Sequence, residues 1–452
     1  MTEPLKLAIV GHTNVGKTSL LRTLTRDPDF GEVSHSPGTT RHVEGARLHV
    51  EGQALVELYD TPGMEDAIDL LEYLERLQRP GERLDGPALL ARFLDSSEAH
   101  QRFEQEARVL HQLLQSDAGI YLIDAREPVL AKYRDELAVL ARCGKPLLPV
   151  LNFVGSHGEE AWRTALARLG LHALVRFDTV APALDGERRL YESLALLLDK
   201  ARPQLQRLIE DHEQQARLRL LSGRQLIAEL LIDCAACRQQ VKTRSQHEPE
   251  AIEELRMRIR QREQRCVEDL LRLYAFHPDD VLPGNFPLLD GRWGDDLFNP
   301  ETLRQLGLRV GGGAAAGAAA GAGIDLLVGG LSLGAASLLG ALAGGGLQTA
   351  RNYGDRLLGK LSGKRELSVD DHILRLLAMR QMALLGALER RGHAARDKLQ
   401  MDQPQSIDWC KDRLPDSLRK ARAHPEWSLL NPVRLEPAGR QAQIMQLVRQ
   451  LS

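Results

Sequence analysis

Gly11-His12-Thr13-Asn14-Val15-Gly16-Lys17-Thr18 constrains this chain more than any other stretch, set as it is between the apolar run Leu5 to Val10 and Ser19-Leu20-Leu21-Arg22-Thr23-Leu24. It has the pattern G-x-x-x-x-G-K-[ST] of a phosphate-binding loop. In such a loop, glycines let backbone N–H groups turn inward around the phosphates, and the following helix presents its positive N-terminus to the same charge. Lys17 is placed to reach the β and γ phosphates and Thr18 to hold Mg2+, with Gly11, Asn14, Val15, Gly16 and Ser19 as the rest of the nucleotide cradle. So short a pattern arises by chance, but a readable strand before it and a readable helix after it are what a working loop requires.

Two further motifs follow in order. Asp27 to Arg41 is polar and rich in Gly, Pro and Ser, and within it Ser36-Pro37-Gly38-Thr39-Thr40-Arg41 offers hydroxyls able to close onto Mg2+ and a γ phosphate. Arg47 to Val50 and Leu55 to Tyr59 then read as paired strands, the second ending in Asp60-Thr61-Pro62-Gly63. An acidic residue at that strand end can hold the hydration shell of Mg2+, and the Gly63 N–H can sense the γ phosphate. Three motifs at these spacings point to a switch-type nucleotide hydrolase.

These pieces, GHTNVGKT, SPGTTRH, DTPG and the later strand Ile120-Tyr121-Leu122-Ile123-Asp124-Ala125-Arg126, resemble the translation-factor-related GTPases, in particular the Era and TrmE-like tRNA-modification group. The resemblance implies a Ras-like α/β fold, a mostly parallel sheet with helices on both faces, and a GTPase activity with GTP and Mg2+ as cofactors. It assigns Lys17 to phosphate and catalysis, Thr18 and Thr40 to Mg2+ with Thr40 also catalytic, Asp60 to the Mg2+ shell, and Thr39 and Gly63 to the nucleotide. An Asn at the position of Asn14 helps hold a potassium ion in the TrmE-like group, so K+ is a further expected cofactor. Ras-like enzymes orient the attacking water with a Gln after the switch glycine, whereas this chain has Met64.

Two departures bear on the resemblance. More than fifty residues separate Gly63 from the strand at Gly119, and Ile68, Leu71, Leu74, Leu77 and then Leu90, Phe93, Leu94 recur at helical spacing, so a helical insertion is expected at about 65–115. Starting directly at a γ-phosphate sensor, it is a natural route from nucleotide state to the rest of the protein. In the family, Asn-Lys-x-Asp after the next strand reads guanine, but here Pro146 to Leu151 leads into Asn152-Phe153-Val154-Gly155. Asn152 and Phe153 are kept as nucleotide-binding candidates, Phe153 by stacking on a purine, and Asp178 in Val175-Arg176-Phe177-Asp178-Thr179 is a substitute for the missing carboxylate.

At 452 residues the chain exceeds what one core supports, and its character changes after Asp199. The expected organisation is a Ras-like domain over 1–200 and an all-α domain over 201–452. Pro203 to about Arg244 and Glu248 to Tyr274 read as two long amphipathic helices in an antiparallel hairpin, followed by a Pro-, Gly- and aromatic-rich loop from Phe276 to Pro300. From Val310 to Ala350 the one charged residue is Asp325, and glycines recur four apart at Gly313, Gly317 and Gly321. That spacing lets helix backbones approach closely, as in membrane helix pairs, and arginines flank both ends. A Gly/Ala-rich hydrophobic helical hairpin over about 310–350, with Asp325 near its tip, is therefore expected either on a membrane or in a soluble core. Ser368 to Lys398 reads as another amphipathic helix.

A formal net charge of -3 gives no reason for bulk nucleic-acid binding. Cys143, Cys234, Cys237, Cys266 and Cys410 are too scattered for a disulfide framework, and no export signal opens the chain, so a cytoplasmic protein is expected, peripheral on the inner membrane if the hairpin meets lipid. Cys234-Ala235-Ala236-Cys237 falls in a helical pattern with no second pair at zinc spacing and reads as core packing.

The reading is a GTP-binding switch whose nucleotide state acts on a helical C-terminal domain. Its expected partners are a guanine nucleotide, a membrane surface or membrane protein met through 310–350, and a second copy in a nucleotide-dependent dimer. The alternatives are a ribosome or RNA assembly GTPase, which lacks a recognisable RNA module here, and a structural nucleotide-binding module, on ATP or GTP, with little turnover.

Overall fold

A computed structural model describes residues 3–26, 44–79, 82–154, 159–179, 183, 185–242, 248–276, 288–289, 292–293, 297–298, 324–327, 364–390, 413–432 and 439–451. The chain falls into two compact units, the first of Met1–Arg217 with Arg390–Asp397 and the second of Leu218–Glu389 with Lys398–Ser452.

The first unit is built on a six-stranded sheet of β1 (Leu5–Val10), β2 (Glu44–Val50), β3 (Gln53–Asp60), β4 (Ala118–Asp124), β5 (Leu147–Asn152) and β6 (Val175–Arg176), in the order β2-β3-β1-β4-β5-β6. β2 pairs antiparallel with β3, and every other pairing is parallel. β1, β4 and β5 are near-continuous apolar runs because both faces of the sheet are covered. Leu5, Leu7 and Ile9 enter the core on one face with Ile120, Leu122, Leu148 and Val150, while Ala8 and Val10 enter the other with Tyr121, Ile123 and Leu151. That is the period-two alternation of a strand. The chain leaves β1 for β3 on one side and returns to β4 on the other, so the carboxyl end of β1 opens on the crevice where the strand order reverses.

Helix α1 (Lys17–Thr25) packs on the first face through Leu20, Leu21 and Leu24. Between β3 and β4 lie α2 (Ala67–Leu77), α3 (Gly86–Leu94), α4 (Ser97–His100) and α5 (Glu104–Gln115), which pack on the second face. The start of α3 is legible locally: the Asp85 carboxylate accepts from the Ala88 N–H at 2.8 Å, with a proline in the first turn. The buried stripe of α2 is Ala67, Leu70 and Leu74, continuing inward-facing Met64; Ile68, expected on that stripe, is half exposed. Leu71, Leu74 and Leu77 of the expected stripe do pack in or against this cluster, so Ile68, at the helix's start, is the one departure. Completing this unit are α6 (Ala131–Ala141), α7 (Glu159–Ala167), α8 (Gly186–Leu197) and the start of α9 (Arg202–Ala236), whose Leu205, Leu208 and Ile209 join the first face.

The second unit gathers the end of α9 with α10 (Glu248–Leu273), α11 (Asp371–Arg390), α12 (Asp416–Ala423) and α13 (Arg440–Gln450) around one apolar cluster. At its centre the fully buried Asp233 carboxylate accepts from Arg262 Nε at 2.8 Å, Arg440 Nη2 at 3.0 Å and the Leu429 N–H at 3.1 Å. Cys234, Cys237 and Cys266 are buried free thiols within this core, and burial pushes Cys237 up to about 11.

This helical region also holds sheet structure that helical periodicity did not foresee. β7 (Gln239–Lys242), β10 (Ile324–Leu327) and β11 (Lys364–Val369) form an antiparallel sheet in the order β10-β11-β7, and β8 (Leu288–Leu289) pairs with β9 (Arg292–Trp293). The expected helix from Ser368 is therefore a strand to Val369 and a helix from Asp371, where Asp370 accepts from the His372 N–H at 2.9 Å. Around Asp325 the expected helical hairpin is the strand Ile324–Leu327, and the rest of 310–350 lies outside the described residues. Among the described residues, no helix is long and apolar enough to cross a membrane.

Candidate nucleotide-binding site

The loop from Gly11 to Gly16 joins β1 to α1 at the strand-order reversal, so that α1 begins at Lys17 with its free N–H groups toward the loop. Lys17 is buried at 7% exposure, and its Nζ donates to the carbonyls of Gly11 at 3.0 Å and His12 at 2.8 Å. Burial pushes its pKa down from 10.5, opposed by the charges of Asp60, Glu136 and Glu65. Thr18 Oγ1 donates to Asp60 Oδ2 at 2.5 Å, joining the start of α1 to the end of β3. An all-oxygen pair of hydroxyl and carboxylate is the donor chemistry a hard Mg2+ takes, so these residues fit that ion. Ser19 follows in the first turn of α1, and Asn14 is exposed with φ 64°. Thr39 and Thr40 lie outside the described residues.

Asn152, fully buried at the end of β5, ties three loops together. Its Nδ2 donates to the Val15 carbonyl at 2.9 Å, while its Oδ1 accepts from the Phe153 N–H, the Thr179 N–H and Thr179 Oγ1 at 2.9, 2.9 and 3.1 Å. Gly16 makes this possible: a Cβ there would stand 2.4 Å from Asn152 Nδ2, and its φ of 97° is left-handed. Phe153 (φ 53°) lies under the Arg126 guanidinium at 4.0 Å, and Arg126 is held by Asp124 through Nη2 at 2.7 Å. That hydrogen bond raises the Arg126 pKa, and Asp178, half-buried between Phe177 and Thr179, adds its charge to the same guanidinium. Asn152, Phe153 and Asp178 are thus drawn to one edge of the crevice, together with Arg126, which sequence reasoning did not single out.

Below the phosphate loop is a second group that the motifs did not reveal. His12 Nδ1 lies 2.6 Å from Glu136 Oε1 and 2.8 Å from the Met64 carbonyl, and the Tyr121 hydroxyl donates to Glu136 Oε2 at 2.8 Å. Because a carbonyl only accepts, Nδ1 carries the proton and donates to both. Glu136 is 1% exposed, and the signal that could have found it is its place beside Tyr133, Leu137 and Leu140 on the buried face of α6. Gly63 meets the loop directly, since a Cβ there would fall 2.2 Å from Thr13 Oγ1.

Comparison with known proteins finds two family models along the chain. Residues 163–449, well over half of the chain, match the model of a family described as a domain of unknown function, DUF3482. The chain belongs to that family. Residues 6–153 match the model described as 50S ribosome-binding GTPase, which takes in the phosphate loop, Asp60 and Asn152. The tRNA modification GTPase MnmE of a Synechocystis species is 33% identical over 122 residues, covering 26% of this chain and 25% of that protein. GTPase Der of Desulfitobacterium hafniense is 27% identical over 239 residues, covering 47% and 52%. The chain therefore spans a quarter to about half of the length of these relatives. Among solved structures, Era of Aquifex aeolicus bound to GDP and AlF4- aligns at 19% identity and a TM-score of 0.32, over 43% of this chain and 57% of that one, a likeness on which nothing further rests.

The buried ammonium of Lys17 sets up a test of stability. Below its depressed folded-state pKa both folded and unfolded chains hold the proton, so the desolvation cost is complete; it is relieved as pH rises through that pKa toward 10.5, where the unfolded chain binds more protons. Without nucleotide, Lys17→Met is expected to raise the urea midpoint at neutral pH by on the order of 1 kcal/mol of stability, the gain shrinking at alkaline pH. A lower midpoint at neutral pH would mean that the two carbonyl bonds outweigh the cost of burial.

Proposed function

We propose that the chain is a guanine-nucleotide switch that binds GTP with Mg2+ and hydrolyses it to GDP and phosphate. The observation that carries this reading is the convergence at the carboxyl end of β1 of Lys17, the Thr18–Asp60 pair and the docked Gly63, within a segment that matches a GTPase family model. Phosphoryl transfer asks little covalent chemistry of a protein; positioning and charge stabilisation do the work. Lys17 would turn from the two loop carbonyls onto the β and γ phosphates, and the Gly63 N–H would meet the γ phosphate. Thr18 and Asp60 would hold the Mg2+, with Thr40 joining them, and the bound ion supplies positive charge to the β and γ oxygens.

Base recognition is proposed to run through Phe153 and Asp178. Phe153 offers a face for purine stacking, and Asp178 a carboxylate for the guanine edge. Arg126, lying on Phe153 and within the field of Asp178, has to swing aside or cap the base. The preference for GTP over ATP is accordingly smaller than with a buried carboxylate in the base loop, a hydrogen-bond pair of that kind being worth a few kcal/mol. Asn14 is proposed to hold K+ beside the phosphates, since Met64 is buried and supplies no water-orienting group.

One assay covers these points. The purified chain with Mg2+ is expected to turn over GTP faster in potassium than in sodium, to bind GTP more tightly than ATP, and to lose turnover at least a hundredfold in Lys17→Ala. Unchanged turnover in that variant contradicts the site, tighter binding of ATP makes the protein an ATPase, and equal rates in the two salts remove the potassium.

Contact of 310–350 with a lipid surface is proposed on composition, one charged residue in the run, and against it stands the pairing of Ile324–Leu327 in a protein sheet. Co-flotation of the full chain with anionic liposomes, weakened by Leu331→Glu, is the outcome expected; failure to float in any nucleotide state overturns it.

A further inference from the structure

The residue after the switch glycine is turned away from the chemistry. Met64 is fully buried in the cluster that holds Ala67, Leu70 and Leu74, so neither it nor a polar residue in the same pose could reach a water at the phosphates. Its neighbour Glu65 is turned the other way: Thr13 Oγ1, on the phosphate loop, donates to Glu65 Oε1 at 2.9 Å. Lys17 feels the Glu65 charge along with those of Asp60 and Glu136.

Glu65 is also held more firmly than an exposed surface carboxylate usually is. Its N–H and that of Asp66 both donate to Glu106 Oε1 at 3.0 Å, and Glu106, on α5 of the inserted helices, is 4% exposed. The carbonyl just before it, that of Met64, accepts from His12 Nδ1, whose proton is shared with buried Glu136. Backbone on both sides of the residue and the side chain itself are therefore fixed, two of the three by groups on the phosphate loop and the third by the insertion. Gly63, packed against Thr13, already brings this turn to the mouth of the loop.

We propose that Glu65 orients the attacking water at the γ phosphate and takes its proton, and that Glu106 and His12 are the positioning residues that hold it there. This rests on the hydrolysis reading above. The water oxygen bonds to the γ phosphorus as the bond to the β–γ bridging oxygen breaks; the bond's electron pair leaves with GDP, and the water's proton passes to the Glu65 carboxylate and then to solvent. A carboxylate one hydrogen bond from the loop needs no other co-reactant for this step. It also gives the insertion a chemical role: the N–H groups of Glu65 and Asp66, just ahead of α2, donate to a carboxylate that α5 supplies.

The test is single-turnover hydrolysis of saturating GTP by the full chain, with affinity for a fluorescent GTP analogue measured in parallel. Glu65→Gln is expected to slow hydrolysis by roughly a hundredfold, as for loss of a general base, with affinity changed by less than about threefold. Glu106→Ala should lower the single-turnover rate with affinity for the analogue unchanged, and Glu106→Gln should recover most of the rate because its amide oxygen still accepts the two N–H groups. A Glu65→Gln rate within about threefold of wild type overturns the proposal while leaving the hydrolysis reading intact. A parallel loss of binding and rate also overturns it, by making Glu65 a structural or binding residue. Wild-type protein that binds GTP without turning it over removes both.

Discussion

The first unit depends on the four hydrogen bonds made by one amide, that of Asn152. With its Nδ2 on the Val15 carbonyl and its Oδ1 on Phe153 and Thr179, it sets the phosphate loop, the base-side loop and the segment after β6 at fixed distances. An amide buried this deeply is tolerated because it is satisfied, and losing one partner would leave orphaned polar groups at the cost of about 1–3 kcal/mol each. It also explains Gly16 independently of phosphate chemistry, since a side chain there would collide with the Asn152 amide. A substrate cradle made from loops has to be rigid before the substrate arrives, and this is where the rigidity comes from.

A second constraint acts on the other side of the loop. The insertion packs on the sheet face that bears Ala8 and Val10, and the turn leading into its first helix reaches the phosphate loop through the Thr13–Glu65 hydrogen bond. Met64 turned inward anchors α2 in the core, and Glu65 and Asp66 are then presented to Glu106 and Thr13. Packing and site geometry are thus one problem here: the apolar side chain that holds the helix decides which polar side chain faces the nucleotide.

Motif spacing made the phosphate loop, Asp60 and the parallel sheet legible, because those residues act within a few positions of a strand end. Asn152 was legible as a position but not as a bridge, since its partners Val15 and Thr179 lie 137 and 27 residues away. His12, Glu106 and Glu136 act across 124 and 41 residues, and such pairings leave no local pattern. Ile68 shows the limit of a periodic reading at a helix's first turn, since Leu71, Leu74 and Leu77 pack as their spacing predicts while Ile68 is half exposed. The strands QQVK and KRELSV are short and mostly polar, so neither alternation nor apolar content separates them from the helices beside them. Thr39 and Thr40 lie outside the described residues.

The most direct measurement is a crystal structure of the full chain with a non-hydrolysable GTP analogue and Mg2+. Lys17 Nζ is expected to have moved from the carbonyls of Gly11 and His12 onto β and γ oxygens, with Thr18 and Asp60 drawn to the ion and Asn152 unmoved. A nucleotide bound elsewhere, or saturating nucleotide with Lys17 still on those two carbonyls, would contradict this.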